Sequence, residues 1–170
     1  SDITVVILDN GTTAMTGGQP NAAGTQAGIH GGPTGRVDIP ALCLSVGVKS
    51  IVVVDPYDLG GTHRALLGAV RKHGLSVVIT TRPCVEMPIK VRGRVYGVNT
   101  EACNGCQLCM DLGCPGLIWD LEAGDEERRL IRTDPDRCSG CTVCAQICPQ
   151  QAIHPVIVNA NGELTIGGTR

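Results

Sequence analysis

The chain has 170 residues and a formal net charge of −2, with 16 acidic against 14 basic side chains. This weak charge gives no basis for binding nucleic acid or a membrane surface, and no apolar run reaches the ~18 residues of a membrane helix. The sequence has no Phe, one Trp and two Tyr, so its core has to be built from small aliphatic side chains. Of ten cysteines, eight lie between Glu101 and Pro149, which favours two domains of different composition.

The first part of the chain alternates strand and helix patterns. Apolar, β-branched runs predict buried parallel strands, and helical spacing predicts helices between them. The predicted strands are Ile3–Leu8, Ser50–Val54 and Leu75–Thr80, and the predicted helices are Pro40–Val46 and His63–His73. The second helix is predicted to place Leu66, Leu67 and Val70 on its apolar side and to end at Gly74. This order predicts an α/β fold whose ligands bind at the carboxyl ends of the parallel strands.

The second part of the chain predicts a smaller α+β domain. A short strand is expected at Arg94–Val98, and the two cysteine motifs follow it. Strand-like runs on either side of Asn161 and Gly162 predict a hairpin.

The two cysteine motifs are Cys103-x2-Cys106-x2-Cys109-x4-Cys114-Pro115 and Cys138-x2-Cys141-x2-Cys144-x3-Cys148-Pro149. Three cysteines at this spacing wrap one 4Fe-4S cube, and in two-cluster ferredoxins the fourth cysteine of each motif binds the other cluster. The spacing therefore predicts two 4Fe-4S clusters with crossed ligands. The first cysteine group is Cys103, Cys106, Cys109 and Cys148, and the second cysteine group is Cys138, Cys141, Cys144 and Cys114.

Two details of the motifs qualify this prediction. Gly105 and Gly140 suit loops whose amides turn towards the sulfur atoms. The first motif has one residue more than the plain bacterial pattern before Cys114, so that ligand requires a longer turn.

Zinc and disulfide bonds are the alternative uses of so many cysteines. A zinc site takes four ligands, whereas the two CxxCxxC runs, each closed by Cys-Pro, supply eight cysteines. Disulfides need a secretory context, and no leader-like segment opens the sequence, so a cytoplasmic location is expected. Cys43 and Cys84 lie outside the motifs and are predicted to be small buried hydrophobes.

The loop after the first predicted strand begins with Asp9 and Asn10 and continues as GTTAMTGGQP. Small residues permit close approach of a ligand to the backbone, and side-chain and carbonyl oxygens suit a divalent cation that bridges phosphates. A generic surface loop is the alternative interpretation.

The segments ILDNGTTAMTGGQP, VVDPYDL and RPCV, with the two cysteine motifs, resemble the carboxyl-terminal part of the large (alpha) subunit of indolepyruvate ferredoxin oxidoreductase. This resemblance covers nearly the whole chain. It implies half of a thiamine diphosphate-binding domain at residues 1–88 and a ferredoxin-like domain with two 4Fe-4S clusters at residues 89–170. It also implies oxidative decarboxylation of an aryl pyruvate, such as indolepyruvate, to acyl-CoA. The implied partners are the remainder of the large subunit or an upstream chain, a small (beta) subunit, ferredoxin as electron acceptor, the 2-oxoacid and coenzyme A.

The resemblance also assigns roles to the loop after the first strand. Asn10 matches the side chain that binds the Mg²⁺ of thiamine diphosphate, Thr12 matches the carbonyl ligand, and Asp9 precedes them. The residues that would lie along the cofactor are Thr13, Ala14, Met15, Thr16, Gly17 and Gln19. The upstream Gly-Asp-Gly half of the family's motif is missing from this sequence, so a longer subunit or a partner chain is expected to complete the site.

No catalytic acid or base stands out among the remaining polar residues. His30 lies in the long loop and is the histidine best placed to line an active site, while His63 and His73 are expected at the surface and His154 near the second motif. Asp55 and Asp58 follow the second predicted strand, and Asp58 is predicted to cap the next helix.

Two functions remain open from the sequence. The chain is either part of a thiamine-dependent oxidoreductase or an electron-transfer module fused to a sheet that only docks onto a partner. The segment from Asp9 to Gln19 favours the enzyme, because a docking sheet has no need of a cofactor loop.

Overall fold

A computed structural model describes residues 1–13, 15, 19, 21–24, 35–85, 93–124, 128–158 and 164–166. The chain separates into two compact units, the sheet unit (Ser1–Val91) and the cysteine unit (Arg92–Arg170). The domain boundary expected at residues 88 and 89 stays a prediction, since residues 86–92 lie outside the described residues. None of the described helices is long and apolar enough to cross a membrane.

The sheet unit consists of a parallel sheet and two helices. Its elements in chain order are β1 (Ile3–Asp9), α1 (Ile39–Ser45), β2 (Ser50–Val54), α2 (Leu59–Val70) and β3 (Leu75–Thr81). The strand order is β1-β3-β2, and both pairs are parallel. The α/β class expected from the strand and helix patterns is therefore confirmed, and the carboxyl ends of the three strands share one edge of the sheet.

Only the central strand of this sheet is buried. Val78 and Ile79 of β3 are 0% and 1% exposed, whereas Leu8 of β1 is 76% exposed and Val53 of β2 is 52% exposed. The prediction of three buried strands is thus wrong for β1 and β2. The reason is positional, because β3 has a strand on each side while the other two form the edges of the described sheet.

The two helices begin at aspartate caps. Asp38 accepts a hydrogen bond from the amide of Ala41 at 2.9 Å, and Asp58 accepts one from Gly61 at 2.8 Å, which confirms the predicted role of Asp58. The predicted apolar side of α2 is wrong for Leu67 and Val70, which are 39% and 68% exposed, whereas Leu66 is half-buried and Ala69 is buried.

The cysteine unit is built from short antiparallel strands, which confirms the expected α+β character. Strands β4 (Tyr96–Val98), β7 (Ile153–Val158) and β8 (Leu164–Ile166) form one sheet in the order β4-β7-β8. Strands β5 (Leu117–Asp120) and β6 (Leu130–Thr133) form a hairpin, and α3 spans Val143–Ile147. The predicted tail hairpin is present as β7 and β8, although residues 159–163 between them lie outside the described residues.

The core of the cysteine unit is small and includes the cysteines themselves. Its buried residues are Val98, Cys109, Leu117, Ile131 and Ile153. Partly buried cysteines pack against this core, namely Cys103, Cys114, Cys144 and Cys148. Both motifs therefore surround one aliphatic centre.

Candidate metal centre and ligand loop

The two cysteine motifs share an unusual backbone conformation. Gly105 and Gly140, one residue before the second cysteine of each motif, have φ values of +73° and +71°. Gln107 and Thr142, one residue after that cysteine, have φ values of +65° and +66°. Positive φ is uncommon in residues other than glycine, so its repetition at matched positions means that both motifs form the same loop.

Glycine is required in the second motif by a close backbone contact as well. A Cβ on Gly140 would lie 2.5 Å from the carbonyl carbon of Gly93, and the amide of Gly93 donates to the carbonyl of Ser139 at 2.9 Å. The second loop is thus fixed against the chain segment that precedes β4.

The first cysteine group lies around one cavity. That cavity is lined by Cys103, Cys106, Cys109 and Cys148, with Val98, Ile131 and Ile153 among its apolar walls. Burial raises the pKa of the Cys109 thiol, and the neighbouring thiols of the other three cysteines raise this pKa further. Cys148 comes from the second motif, so the structure brings a crossed set of four sulfur atoms together.

The second cysteine group is assembled around Cys144. Burial, followed by the neighbouring thiols of Cys141, Cys114 and Cys138, raises the pKa of Cys144 to about 12. The extra residue of the first motif lies in a 3₁₀ turn, Met110–Leu112, which ends at Gly113 with a φ of +62°. This longer turn keeps Cys114 close to Cys144.

In the part of the chain that the structure describes, no three His, Cys, Asp or Glu side chains converge on a site for one metal ion. A 4Fe-4S cube binds each thiolate through a different iron, so its four sulfur ligands lie farther apart than those around one zinc ion.

One sulfur atom of the first group accepts a backbone hydrogen bond that the sequence did not indicate. The amide of Ala152 donates to Sγ of Cys148 at 3.3 Å, and the amide of Asn99 donates to the carbonyl of Ala152 at 2.7 Å. Hydrogen bonds to ligand sulfur are among the determinants of a cluster's potential. No residue type marks such an amide, so sequence reasoning had no signal for it.

The carboxyl end of β1 leads into a tight turn. Oδ1 of Asn10 accepts a hydrogen bond from the amide of Thr12 at 3.1 Å, and Gly11 between them has a φ of +72°. Thr12 is buried, and the amide of Thr13 donates to the carbonyl of Gln19 at 3.2 Å, which closes a small loop. The turn therefore holds the side-chain oxygen of Asn10 and the backbone carbonyl oxygen of Thr12 within three residues. Side-chain amide oxygens and backbone carbonyl oxygens both suit a hard divalent cation.

The other residues predicted to bind the cofactor are placed as follows. Asp9 forms an ion pair with Arg36 at 3.4 Å. Thr13, Met15 and Gln19 are exposed. Ala14, Thr16 and Gly17, together with His30, lie outside the described residues.

Polar side chains from β2 and β3 meet at the same edge of the sheet. Arg82 and Asp55 form an ion pair at 2.6 Å, and the guanidinium of Arg82 lies 4.3 Å from the ring centre of Tyr57. The amide of Arg82 also donates to the carbonyl of Asp9 at 3.1 Å, which extends the pairing of β1 and β3 past the strand ends. Asp55 is thus held in an ion pair with Arg82 at this edge of the sheet.

The remaining histidines and cysteines are placed as follows. His63 is exposed, and His73, also exposed, lies 3.1 Å from a carboxylate oxygen of Asp2. His154 is half-buried on β7. Cys43 is buried as predicted, and Cys84 is half-buried.

Two family models match the chain. The model described as "Thiamine pyrophosphate enzyme, C-terminal TPP binding domain" matches residues 1–80, and the model described as "4Fe-4S binding domain" matches residues 131–154. The first covers the parallel sheet with the Asn10 turn, and the second covers the second cysteine motif.

Curated relatives match both units together. The chain is 39% identical to indolepyruvate oxidoreductase subunit IorA of Pyrococcus horikoshii over 163 residues, which are 92% of this chain and 24% of that protein. It is 38% identical to the IorA subunit of Archaeoglobus fulgidus over 167 residues, 94% of this chain and 25% of that protein. It is also 40% identical over 58 residues to an uncharacterized ferredoxin of Methanocaldococcus jannaschii, covering 33% of this chain and 70% of the ferredoxin.

The chain spans about a quarter of the length of these IorA subunits. Within that span, the thiamine pyrophosphate model and the 4Fe-4S model follow each other along the chain. The chain therefore belongs to the family of indolepyruvate oxidoreductase subunit IorA, with a thiamine diphosphate-binding segment followed by an iron–sulfur segment.

Proposed function

We propose that this chain is part of an oxidoreductase that oxidatively decarboxylates a 2-oxoacid to acyl-CoA. An aryl pyruvate such as indolepyruvate is the proposed substrate, and the electrons pass through two 4Fe-4S clusters to ferredoxin. The observation that carries the proposal is the gathering of eight cysteines into two crossed groups, on the same chain as a thiamine diphosphate-binding segment.

The case for two clusters depends on the first motif, which lies outside the residues matched by the 4Fe-4S model. Its loop repeats the left-handed positions of the second motif, and its thiols lie beside a cysteine from that motif. We assign Cys103, Cys106, Cys109 and Cys148 to the first cluster, and Cys138, Cys141, Cys144 and Cys114 to the second.

The residues around the first cysteine group provide a dry setting for electron transfer. Ile131 and Ile153 are 1% and 4% exposed and line the cavity beside the sulfur atoms. Burial and sulfur hydrogen bonds, such as that from Ala152 to Cys148, are what the protein contributes to a cluster's potential. The clusters themselves would supply one-electron chemistry.

We propose that the Asn10 turn holds the Mg²⁺ of thiamine diphosphate. Oδ1 of Asn10 has a second lone pair besides the one that accepts from Thr12, and the carbonyl oxygen of Thr12 is the second proposed ligand. Thiamine diphosphate would supply the carbanion stabilisation that decarboxylation of a 2-oxoacid needs. The residues proposed to lie along the cofactor are Asp9, Thr13, Ala14, Met15, Thr16, Gly17 and Gln19.

Exposed apolar residues of the sheet unit support the proposal that further protein completes this site. Ile3, Val5 and Leu8 of β1 are 53%, 41% and 76% exposed, although all three are apolar. Relatives of about four times this length carry more protein that can cover such residues. We therefore propose that the remainder of the large subunit, or a separate chain, packs on β1 and that a small subunit completes the enzyme. A cytoplasmic location remains a prediction.

Anaerobic reconstitution with iron and sulfide tests the electron-transfer part. We expect about eight iron atoms per chain and the broad visible absorption of 4Fe-4S cubes. Cys109→Ser and Cys144→Ser should each lower the iron content, whereas the matched control Cys43→Ser, at a buried cysteine outside both groups, should leave it unchanged. Two zinc atoms, or about four iron atoms with no effect of Cys109→Ser, would contradict the two-cluster assignment.

Titration of thiamine diphosphate with Mg²⁺, in the presence of the remainder of the enzyme, tests the cofactor site. We expect Asn10→Ala to weaken binding about 100-fold or more, because it removes a metal ligand. Asn21→Ala is the matched control, because Asn21 lies in the same loop and its Oδ1 accepts from Ala23 at 2.9 Å. If the complete enzyme binds no thiamine diphosphate, the alternative of a pure electron-transfer module replaces the enzyme assignment.

A further inference from the structure

Two backbone hydrogen bonds hold the Asn10 turn to the chain segment that follows β3. The amide of Arg82 donates to the carbonyl oxygen of Asp9 at 3.1 Å, and the amide of Cys84 donates to the carbonyl oxygen of Asn10 at 3.0 Å. The side chain of Asn10 accepts from the amide of Thr12 within the turn itself. The position of Asn10 therefore depends on where the segment after β3 lies.

Pro83 stiffens this segment between the two donating amides. Its ring fixes its own φ, and its bulk excludes the helical region for the preceding residue, Arg82. Few backbone rotations are thus left between Arg82 and Cys84. A displacement of Arg82 is therefore passed on to the amide that holds Asn10.

The side chain of Arg82 ties the segment to the carboxyl end of β2. Its Nη1 atom lies 2.6 Å from Oδ2 of Asp55, and its guanidinium lies 4.3 Å from the ring centre of Tyr57. An ion pair and a cation–π contact thus act on one guanidinium. Arg82 joins two strand ends, because its backbone contacts β1 while its side chain contacts residues that follow β2.

Asp55 is itself fixed at the turn that leads into α2. Its Oδ1 accepts from the amide of Tyr57 at 2.9 Å, which leaves Oδ2 for the guanidinium of Arg82. Its carbonyl oxygen accepts from the amide of Asp58 at 2.9 Å and from the hydroxyl of Thr62 at 3.0 Å. Arg82 therefore has a partner whose backbone and side chain are both held in place.

We propose that Arg82 is a positioning residue for the Mg²⁺ of thiamine diphosphate and acts through the backbone of the Asn10 turn. This inference rests on the proposed function, which assigns the metal ligands to Asn10 and Thr12. Mg²⁺ demands near-ideal octahedral geometry, so its affinity is sensitive to small displacements of a ligand. Residues that orient metal ligands raise the affinity without touching the metal. The pair of Arg82 and Asp55 provides this orientation from a neighbouring strand.

Charge and position make opposite predictions for Arg82. If Arg82 acted only by its charge, its removal would strengthen Mg²⁺ binding, because a cation repels a nearby metal ion. If Arg82 acts by position, its removal weakens Mg²⁺ binding, because the turn loses its anchor. The direction of the change therefore identifies the role.

The test is a calorimetric Mg²⁺ titration of thiamine diphosphate binding to the complete enzyme. The side chains of Arg82 and Asp55 are 37% and 44% exposed, which limits the contribution of their ion pair. We expect Arg82→Gln to raise the Kd for Mg²⁺ about fivefold through loss of the ion pair and the cation–π contact. Saturating Mg²⁺ should restore kcat, whereas a general folding defect would lower kcat at every Mg²⁺ concentration.

Asp55→Asn tests the same ion pair from its other side, and it keeps the proposal testable if Arg82→Gln does not fold. It retains the oxygen atom that accepts from Tyr57 but removes the negative charge, so the Kd for Mg²⁺ should again rise. Because both substitutions remove one interaction, the double variant should raise the Kd no further than Arg82→Gln alone.

Arg71→Gln is the matched control for the loss of a positive charge. Arg71 is exposed and ends α2 at the edge of the sheet opposite to the strand carboxyl ends, so its substitution should leave the Kd for Mg²⁺ unchanged.

A Kd for Mg²⁺ that is unchanged or lower in Arg82→Gln would overturn the proposal, and so would an unchanged Kd in Asp55→Asn. Effects that multiply in the double variant, or an equal rise in Arg71→Gln, would also overturn it, because the ion pair would then not be responsible. If the unsubstituted complete enzyme binds no thiamine diphosphate, the proposed function fails instead, so the two failures are distinguishable.

Discussion

The sheet unit and the cysteine unit reach a stable interior by different routes. Among the three strands of the sheet unit only β3 is buried, and the apolar side chains of β1 and β2 remain largely exposed in the described residues. In the cysteine unit a few aliphatic residues and the cysteines of both motifs share one core. This contrast supports two proposals made above, namely that further protein completes the first unit and that metal clusters complete the second.

Removal of iron is expected to have the largest effect, and to affect the cysteine unit but not the sheet unit. Stripping the reconstituted chain with a chelator should abolish the cooperative unfolding of the cysteine unit, because metal binding there is part of the folding free energy. Hydrogen exchange should become fast at β5 and β6 and stay slow at Ser76–Thr80 of β3. Adding iron and sulfide back should restore protection, and unchanged exchange in the stripped protein would refute the idea that clusters complete this unit.

Gly140→Ala should destabilise the cysteine unit by about 4 kcal/mol. The residue has a positive φ, and a Cβ would overlap the backbone of Gly93, so the left-handed conformation and the steric overlap both cost energy. The measurement is anaerobic denaturation of the loaded protein, followed by the loss of cluster absorbance. Gly113→Ala is the control, because Gly113 also has a positive φ but nothing lies within 4 Å of its Cβ position, so about 1–2 kcal/mol is expected.

Two substitutions in the sheet sharpen the contrast between central and edge strands. Ile79→Ala should cost about 3 kcal/mol in the free energy of unfolding, because Ile79 is 1% exposed. Leu8→Ala should change stability by less than about 0.5 kcal/mol, because Leu8 is 76% exposed. Urea denaturation provides both values.

When the remainder of the enzyme is bound, the cost of Leu8→Ala should rise. A cost that stays small in the complete enzyme would show that further protein does not cover β1.

The smallest expected effect concerns the turn before β3. The amide of Gly74 and the ring of His73 hold the pKa of Asp2 below its ordinary value. Because the folded-state pKa is lowered, this contribution to stability is present above the unfolded-state pKa and is lost as the pH falls through the folded-state pKa. The urea midpoint of the sheet unit should therefore fall slightly less on acidification in Asp2→Asn than in the unsubstituted chain. An identical acid dependence in the two proteins would reject this role for Asp2.

The sequence predicted the elements well wherever local chemistry determines them. Asp58 capped its helix as expected, and the apolar runs at Ile3 and Leu75 became neighbouring parallel strands. Burial could not be predicted in the same way, because it depends on which neighbours a strand has in the fold, and an apolar run does not specify those neighbours. For that reason β1 looked fully buried in the sequence and yet is largely exposed.

In the candidate site, too, some features could be predicted from local sequence and others could not. Cysteine spacing predicted two groups of four sulfur atoms, and their assignment as cluster ligands stays a prediction. The hydrogen bond from Ala152 to Cys148 is donated by a backbone amide, so no side-chain pattern could indicate it.

The pairing of β4 with β7 brings together the two ends of the segment that carries both motifs. Val98 lies opposite Ile153, and Asn99 and Ala152 are joined by a backbone hydrogen bond just beyond them. The polypeptide thus enters and leaves this segment at neighbouring positions, as a loop does at the base of a hairpin. Insertion of this segment, together with β4 and β7, into a surface turn of a host protein would therefore require the two ends of the host chain to be only about one strand spacing apart.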